Sequence, residues 1–197
     1  MGESEANIYF LENAAPAAQD MKRRLGQKAL YLPYAYDYGM LRQNLQKAAE
    51  TLHLAMPDCD AFEQQIEEKA TKLHDILGQT PVAIDFTATP RPLGLARFLL
   101  THGVNVYAVY LDAVSPDEKD SFFFLKEHYP SLFLRSTMHF KRRLLPRDDS
   151  RKYGKVLAIG QMAAYFTDTN FFVNVIENSG LYGYVGLLKL LDWIGSS

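Results

Sequence analysis

Residues 80–112 read TPVAIDFTATPRPLGLARFLLTHGVNVYAVYLD, and their reading decides the fold. Positions 82–86 form a short apolar run with β-branched members that breaks into turn-forming residues instead of continuing at helical period. Thr89 is placed to cap a helix whose first turn holds Pro90 and Pro92, since the earliest helical positions need no N–H donor. That helix is expected to reach about His102, with Gly103 as a left-handed stop. Residues 104–110 are a second β-rich run, and two strands joined through a helix pair in parallel with a right-handed crossover.

Open parallel sheets bind ligands beyond the carboxyl ends of their strands, where helix N-termini point. In this chain that place is the loop 85–91, with the hydroxyls of Thr87 and Thr89 and the guanidinium of Arg91. The loop reads either as a ligand loop or as an ordinary strand-to-helix connection. It carries neither GxGxxG nor GxxxxGK[ST], so no nucleotide is specified.

The flanking segments repeat the unit. Upstream, residues 8–11 and 29–32 read as short strands around a helix over 16–25 that stops at Gly26. The segment YLPYAYDYG clusters Tyr31, Tyr34, Tyr36 and Tyr38, a composition suited to a half-buried contact or to a loop folded onto its own core. Two amphipathic helices follow: Leu41, Leu45, Ala48 and Leu52 share one face of the first, and Phe62, Ile66, Ala70, Leu73 and Leu77 share one face of the second. Asp58 is a candidate N-cap and Gly78 a stop. His53 and His74 have no partner at metal-ligand spacing and read as structural. Downstream, Ser115-Pro116-Asp117-Glu118 has the form of a capping box opening a helix to about His128. Further strands are expected over 132–135, 155–159 and 171–176, with helices after Gly160-Gln161 and from Tyr184. Glycines 180, 183 and 186 permit a close backbone approach at the start of the last helix.

The division expected is 1–36 as the end of a preceding α/β unit, 37–78 as connecting helices, and 79–197 as an α/β domain. The fold class is therefore α/β: a Rossmann-like three-layer domain with a mostly parallel sheet, preceded by a partial α/β unit and connecting helices. Its candidate binding residues sit at strand ends: Thr87, Thr89, Arg91, Gly160, Gln161, Asn178, Ser179 and Gly180.

Composition narrows the function. The 197 residues are 48% hydrophobic and 22% charged with a net charge of −2, an ordinary globular balance with no general drive toward nucleic acid. No apolar run reaches membrane-spanning length and the N-terminus lacks signal-peptide character, so a cytoplasmic location is expected. Cys59 is the single cysteine, which leaves no internal disulfide and no four-thiolate cluster held by this chain, and no metal site is expected. The basic run His139, Lys141, Arg142, Arg143 and Arg147 is interrupted by Asp148 and Asp149 and lacks alternating aromatics, so it reads as a solvated or partner-contacting loop. There is no GxSxG elbow, and Cys59 has no identifiable histidine and carboxylate partners, which argues against a hydrolase.

The segments PLGLARFLLTHGVNV, VLAIGQMAAYF and FVNVIENSGLYGYVGLLKLLDWI, in this order, resemble the C-terminal portion of the nitrogenase component 1 type oxidoreductases. That family holds the molybdenum–iron protein subunits, their cofactor-assembly scaffolds and the dark-operative protochlorophyllide reductases. The resemblance implies several Rossmann-like domains and a homo- or hetero-oligomer with a homologous subunit. It also implies an ATP-hydrolysing iron-protein reductase and an iron–sulfur cluster in the complete protein, its cysteines lying in a region without counterpart here. The approach Val175-Ile176-Glu177-Asn178 lacks the histidine that precedes the SGPYxGYDG-like turn in the subunit carrying the metal cofactor. The resemblance thus implies a domain that contributes pocket walls and subunit contacts without being catalytic alone. The alternative is a stand-alone Rossmann-like module for a small anionic or tetrapyrrole-like ligand.

Overall fold

The computed structural model describes residues 4–144, 147 and 152–197, without the side chains of 142, 143, 177 and 178. Asp148 and Asp149, and the side chains of Arg142 and Arg143, all named above with the basic run, fall outside what is described. The chain divides into two compact units, Met1–Glu63 and Gln64–Ser197, the division falling within one long helix.

In the first unit, β1 (Ala6–Tyr9) and β2 (Lys28–Tyr31) pair in parallel, joined through α1 (Ala15–Leu25). Gly26 ends α1 at φ +67 and its N–H donates to the Lys22 carbonyl. Tyr9 and Tyr31 stack at 5.0 Å, and Leu32, Ala35 and Tyr36 are buried, so the tyrosine-rich segment folds onto protein. α2 (Tyr38–Leu52) is capped by Asp37, whose carboxylate accepts from the Met40 N–H. Arg42 on α2 pairs with Glu63, 2.7 Å away, and with Asp60. α3 (Cys59–Leu77) begins in this unit, with Asp58 accepting from the Ala61 N–H at 3.1 Å. Gly78, at φ +51, closes it.

The second unit is an α/β layer structure on a five-stranded, wholly parallel sheet. Its strands are β3 (Val82–Asp85), β4 (Val106–Tyr110), β5 (Phe133–Arg135), β6 (Leu157–Ile159) and β7 (Phe172–Val173), in the spatial order β5-β4-β3-β6-β7. From β3 the chain moves outward through α4 (Pro92–Thr101) to β4 and through α5 (Lys119–His128) to β5. It then returns past α6 (Phe140–Leu144) to β6 and continues through α7 (Gln161–Thr167) to β7. Right-handed crossovers in opposite directions put α4 and α5 on one face and α7 on the other. β3 lies between β4 and β6 and all four of its residues are buried, as expected of a strand covered on both faces. Ala83, Ala108 and Ala158 lie side by side on one face, and their small side chains admit Tyr110 and Phe166, stacked at 5.3 Å. α8 (Gly183–Gly195) closes the chain. A Cβ at Gly186 would run into the Leu181 backbone, the close approach that the glycine spacing permits.

Two local expectations are corrected. α4 begins at Pro92, not after Thr89, and Arg91 is its N-cap at φ −126. Arg91 precedes a proline, whose ring disfavours helical backbone at the residue before it. Ser115 makes no side-chain cap, and the Glu118 carboxylate reaches across to α4 instead of back to Ser115. Among the described residues no helix is long and apolar enough to cross a membrane.

Candidate functional site

The strand order reverses between β3 and β6, so the crevice beyond their carboxyl ends is the topological switch point of the sheet. Asp85, the last residue of β3, fills it. The Asp85 carboxylate is 0% exposed and accepts hydrogen bonds from the Thr87 N–H at 2.6 Å, the Thr87 hydroxyl and the Ala88 N–H at 3.1 Å. Its second oxygen accepts from the Ala163 N–H at 2.6 Å, in the first turn of α7. Gly160, at φ +103, passes so close that an added Cβ would lie 2.6 Å from the Asp85 Cγ. One buried carboxylate thereby holds the turn after its own strand and the helix after the neighbouring strand.

The start of α4 is treated the same way. Glu118 is 2% exposed and its Oε1 accepts from the Gly94 N–H at 2.8 Å. Burial pushes the Glu118 carboxyl up to about 7, against the hydrogen bond from Gly94 and the attraction of Arg91. Arg91 pairs with Asp117 at 3.3 Å. Beyond β4, Asp112 accepts from the Ser136 hydroxyl at 2.8 Å, the Thr137 N–H at 2.8 Å and the Met138 N–H at 2.9 Å, and from the Thr137 hydroxyl. Burial raises the Asp112 carboxyl, but the bonds from Thr137, Met138 and Ser136 outweigh it and hold the group below the usual carboxylate range.

The strand-end residues singled out from the sequence distribute along this edge. Thr87 is half-buried and spent on Asp85; Thr89 is buried, its hydroxyl accepting from the Arg91 N–H at 3.2 Å. Gly160 packs on Asp85, while Gln161 is exposed and donates to Asn174 at 3.1 Å. Ser179, at φ +45, and Gly180, at φ +73, are exposed in the turn Glu177–Gly180 after β7, and the Asn178 side chain lies outside the described set. The edge therefore gathers residues from the ends of three adjacent strands, β3, β6 and β7. The N–H groups of Gly94 and Ala163, which an anionic ligand would use, already donate to internal carboxylates.

Sequence reasoning placed Asp85 in the loop but gave it no role, and assigned Glu118 to a local cap. The available signal was the wording of the strands: VAID and VYLD each end an apolar run with an aspartate. A carboxylate there faces a ring of backbone donors.

An iron–sulfur cluster does not fit the residues present. Cys59 is the sole thiol, buried with its Sγ 3.6 Å from the Pro57 carbonyl. Among the described residues no three His, Cys, Asp or Glu side chains converge as a metal-ligand set.

The chain matches no protein-family model and no curated protein. A solved structure of nitrogenase Cp1 at pH 6.5 aligns with 99% of this chain at a TM-score of 0.61 and 15% identity. The chain spans 45% of that protein's chain. At this identity the likeness shows the fold, and at that level it agrees with the resemblance read from the C-terminal motifs.

Proposed function

We propose that this chain is the C-terminal region of a nitrogenase-like, component 1 type oxidoreductase, supplying pocket walls and subunit contacts to iron–sulfur-dependent reduction. The observation that carries the reading is the fold likeness to nitrogenase Cp1 over 99% of the chain, combined with a span of 45% of that structure. The order of the three C-terminal motifs supports it independently. On this reading the cluster ligands come from outside the 197 residues, as the single buried Cys59 requires. Electrons arrive from an ATP-hydrolysing iron protein, and a homologous subunit completes the assembly.

The chain's own contribution is positional. Asp85, Asp112 and Glu118 fix the loops at the carboxyl edge, so that Thr87, Thr89, Arg91 and Gly160 hold the wall from behind and the exposed Gln161, Ser179 and Gly180, in one turn with Asn178, meet a cofactor or substrate. Preorganised polar groups lose little freedom on binding. The test is affinity capture of the tagged protein from its native cells under anaerobic conditions, with mass spectrometry of everything recovered. The expected recovery is a larger polypeptide or a homologous companion bearing several cysteines. Recovery of a lone 197-residue chain without such a companion contradicts the proposal.

A further inference from the structure

We infer that the groove between the end of α5 and β5 binds a small amphipathic acid, its single carboxylate held by Lys126 and Tyr129 and its apolar body laid along the groove. This groove is separate from the carboxyl-edge site, and the inference holds whether or not the redox reading does.

The local chain path builds the groove. Phe122, Leu125, Lys126 and Tyr129 are spaced three and four apart, so they share one face at the end of α5. The chain then reverses in a tight turn, in which the Leu132 N–H donates to the Tyr129 carbonyl at 3.0 Å. Pro130 takes the second position of that turn, which its fixed φ suits. The turn sets Leu132 and Leu134 beside the helix face, and the cavity these residues enclose is about 390 Å³, in the size range of small-molecule sites. A wall held by a proline turn loses little freedom when a ligand enters.

The lining selects the ligand. Of the seven residues that line the groove, Lys126 alone is charged. The acids of α5 stand elsewhere: Glu127 is about 100° round the helix from Lys126 and Asp120 about 120° round the other way, and neither lines the groove. Among the described residues the Lys126 ammonium has no ion-pair or hydrogen-bond partner, and the Tyr129 hydroxyl has no hydrogen-bond partner. Two donors and one positive charge beside apolar walls match one carboxylate on an apolar body, since a charge-assisted bond is the strongest that either donor can make. A doubly charged phosphate would bring a second charge against apolar walls with no cation to meet it. An amine would meet Lys126 with like charge.

The experiment uses the full 197-residue chain and three probes that differ only in their head group: octanoate, octan-1-ol and octylammonium, each below its micellar concentration. Titration calorimetry is expected to show saturable binding of octanoate, with octan-1-ol weaker by about tenfold or more and octylammonium undetected. Amide shift mapping is expected to place octanoate at Leu125, Tyr129, Leu132 and Leu134. Lys126→Glu changes an exposed side chain, and is expected to abolish octanoate binding and to create binding of octylammonium. Tyr129→Phe keeps the ring and drops the hydroxyl, and is expected to weaken octanoate severalfold while leaving octan-1-ol unchanged. Equal binding of octanoate and octan-1-ol, shifts confined to other parts of the chain, or octanoate binding indifferent to Lys126→Glu overturns the inference. Absence of octanoate binding overturns it as well, and concentration-dependent shifts of the same amides would then give the groove to a second copy of the chain.

Discussion

Replacing Glu118 by glutamine is expected to stabilise the protein above neutral pH and to remove a pH dependence between 4.5 and about 7. Glu118 is 2% exposed and its carboxyl titrates near 7 in the folded chain against 4.5 for an ordinary glutamate. Between those values the folded state holds a proton that the unfolded state has released, so stability falls as pH rises through the window. The favourable contribution is complete below 4.5 and lost above about 7. At about 1.36 kcal/mol for each pH unit of separation, the gap corresponds to roughly 3 kcal/mol. Glutamine carries no charge to desolvate, and its Oε1 can still accept from the Gly94 N–H. Urea unfolding of both proteins at half-unit steps from pH 4.5 to 8.5 isolates the term as a difference curve. The difference is expected near zero at pH 4.5 and to grow to between about 1 and 3 kcal/mol in favour of the variant by pH 8. Parallel curves, or a variant less stable at pH 8, would refute the buried-carboxylate account of the α4 start.

Asp85→Ala leaves the N–H groups of Thr87, Ala88 and Ala163 without their acceptor, and is expected to cost about 3 kcal/mol in denaturant unfolding. Hydrogen exchange at the Ala163 amide should accelerate more than the global loss explains. Gly160→Ala drives a Cβ into the Asp85 carboxylate at a backbone angle that L residues rarely adopt, whereas Gly78→Ala meets open space. Urea midpoints should therefore rank Gly160→Ala well below Gly78→Ala, which is expected to lose only about 1 kcal/mol for its left-handed backbone. Asp112→Asn removes a carboxylate held low by hydrogen bonding, whose stabilisation is present above the ordinary value of 3.8 and fades as pH falls below it. Faster amide exchange at Thr137 and Met138 at neutral pH, and a shallower loss of stability in acid, are the expected results.

The central strands β3, β4 and β6 were legible because each is a compact apolar run bounded by glycine, proline or aspartate. The stops at Gly26, Gly78 and Gly103 followed from the left-handed conformation that glycine tolerates, and all three have positive φ. The start of α4 was misplaced because two prolines compete for its first turn, and the restriction that Pro92 puts on Arg91 prevails over the capping preference of Thr89. Ser115 and Glu118 have the spacing of a capping box, yet Glu118 is taken up by Gly94, 24 positions earlier, a pairing that no local pattern encodes. Asp85 presents the same difficulty: its bond to Ala163 spans 78 positions and exists only once β3 and β6 are neighbours. The candidate residues could be placed at strand ends from sequence. That internal carboxylates already satisfy the helix starts among them is a property of the tertiary structure.

Iron and acid-labile sulfide per mole of protein test the central claim most directly, measured side by side on the complex captured from native cells and on the isolated 197-residue chain after anaerobic incubation with iron and sulfide. The account predicts a stoichiometric iron–sulfur cluster in the captured complex, and no cluster on the isolated chain, whose one cysteine is the buried Cys59. A captured complex devoid of iron and sulfide, or an isolated chain that assembles a stable cluster, would contradict it.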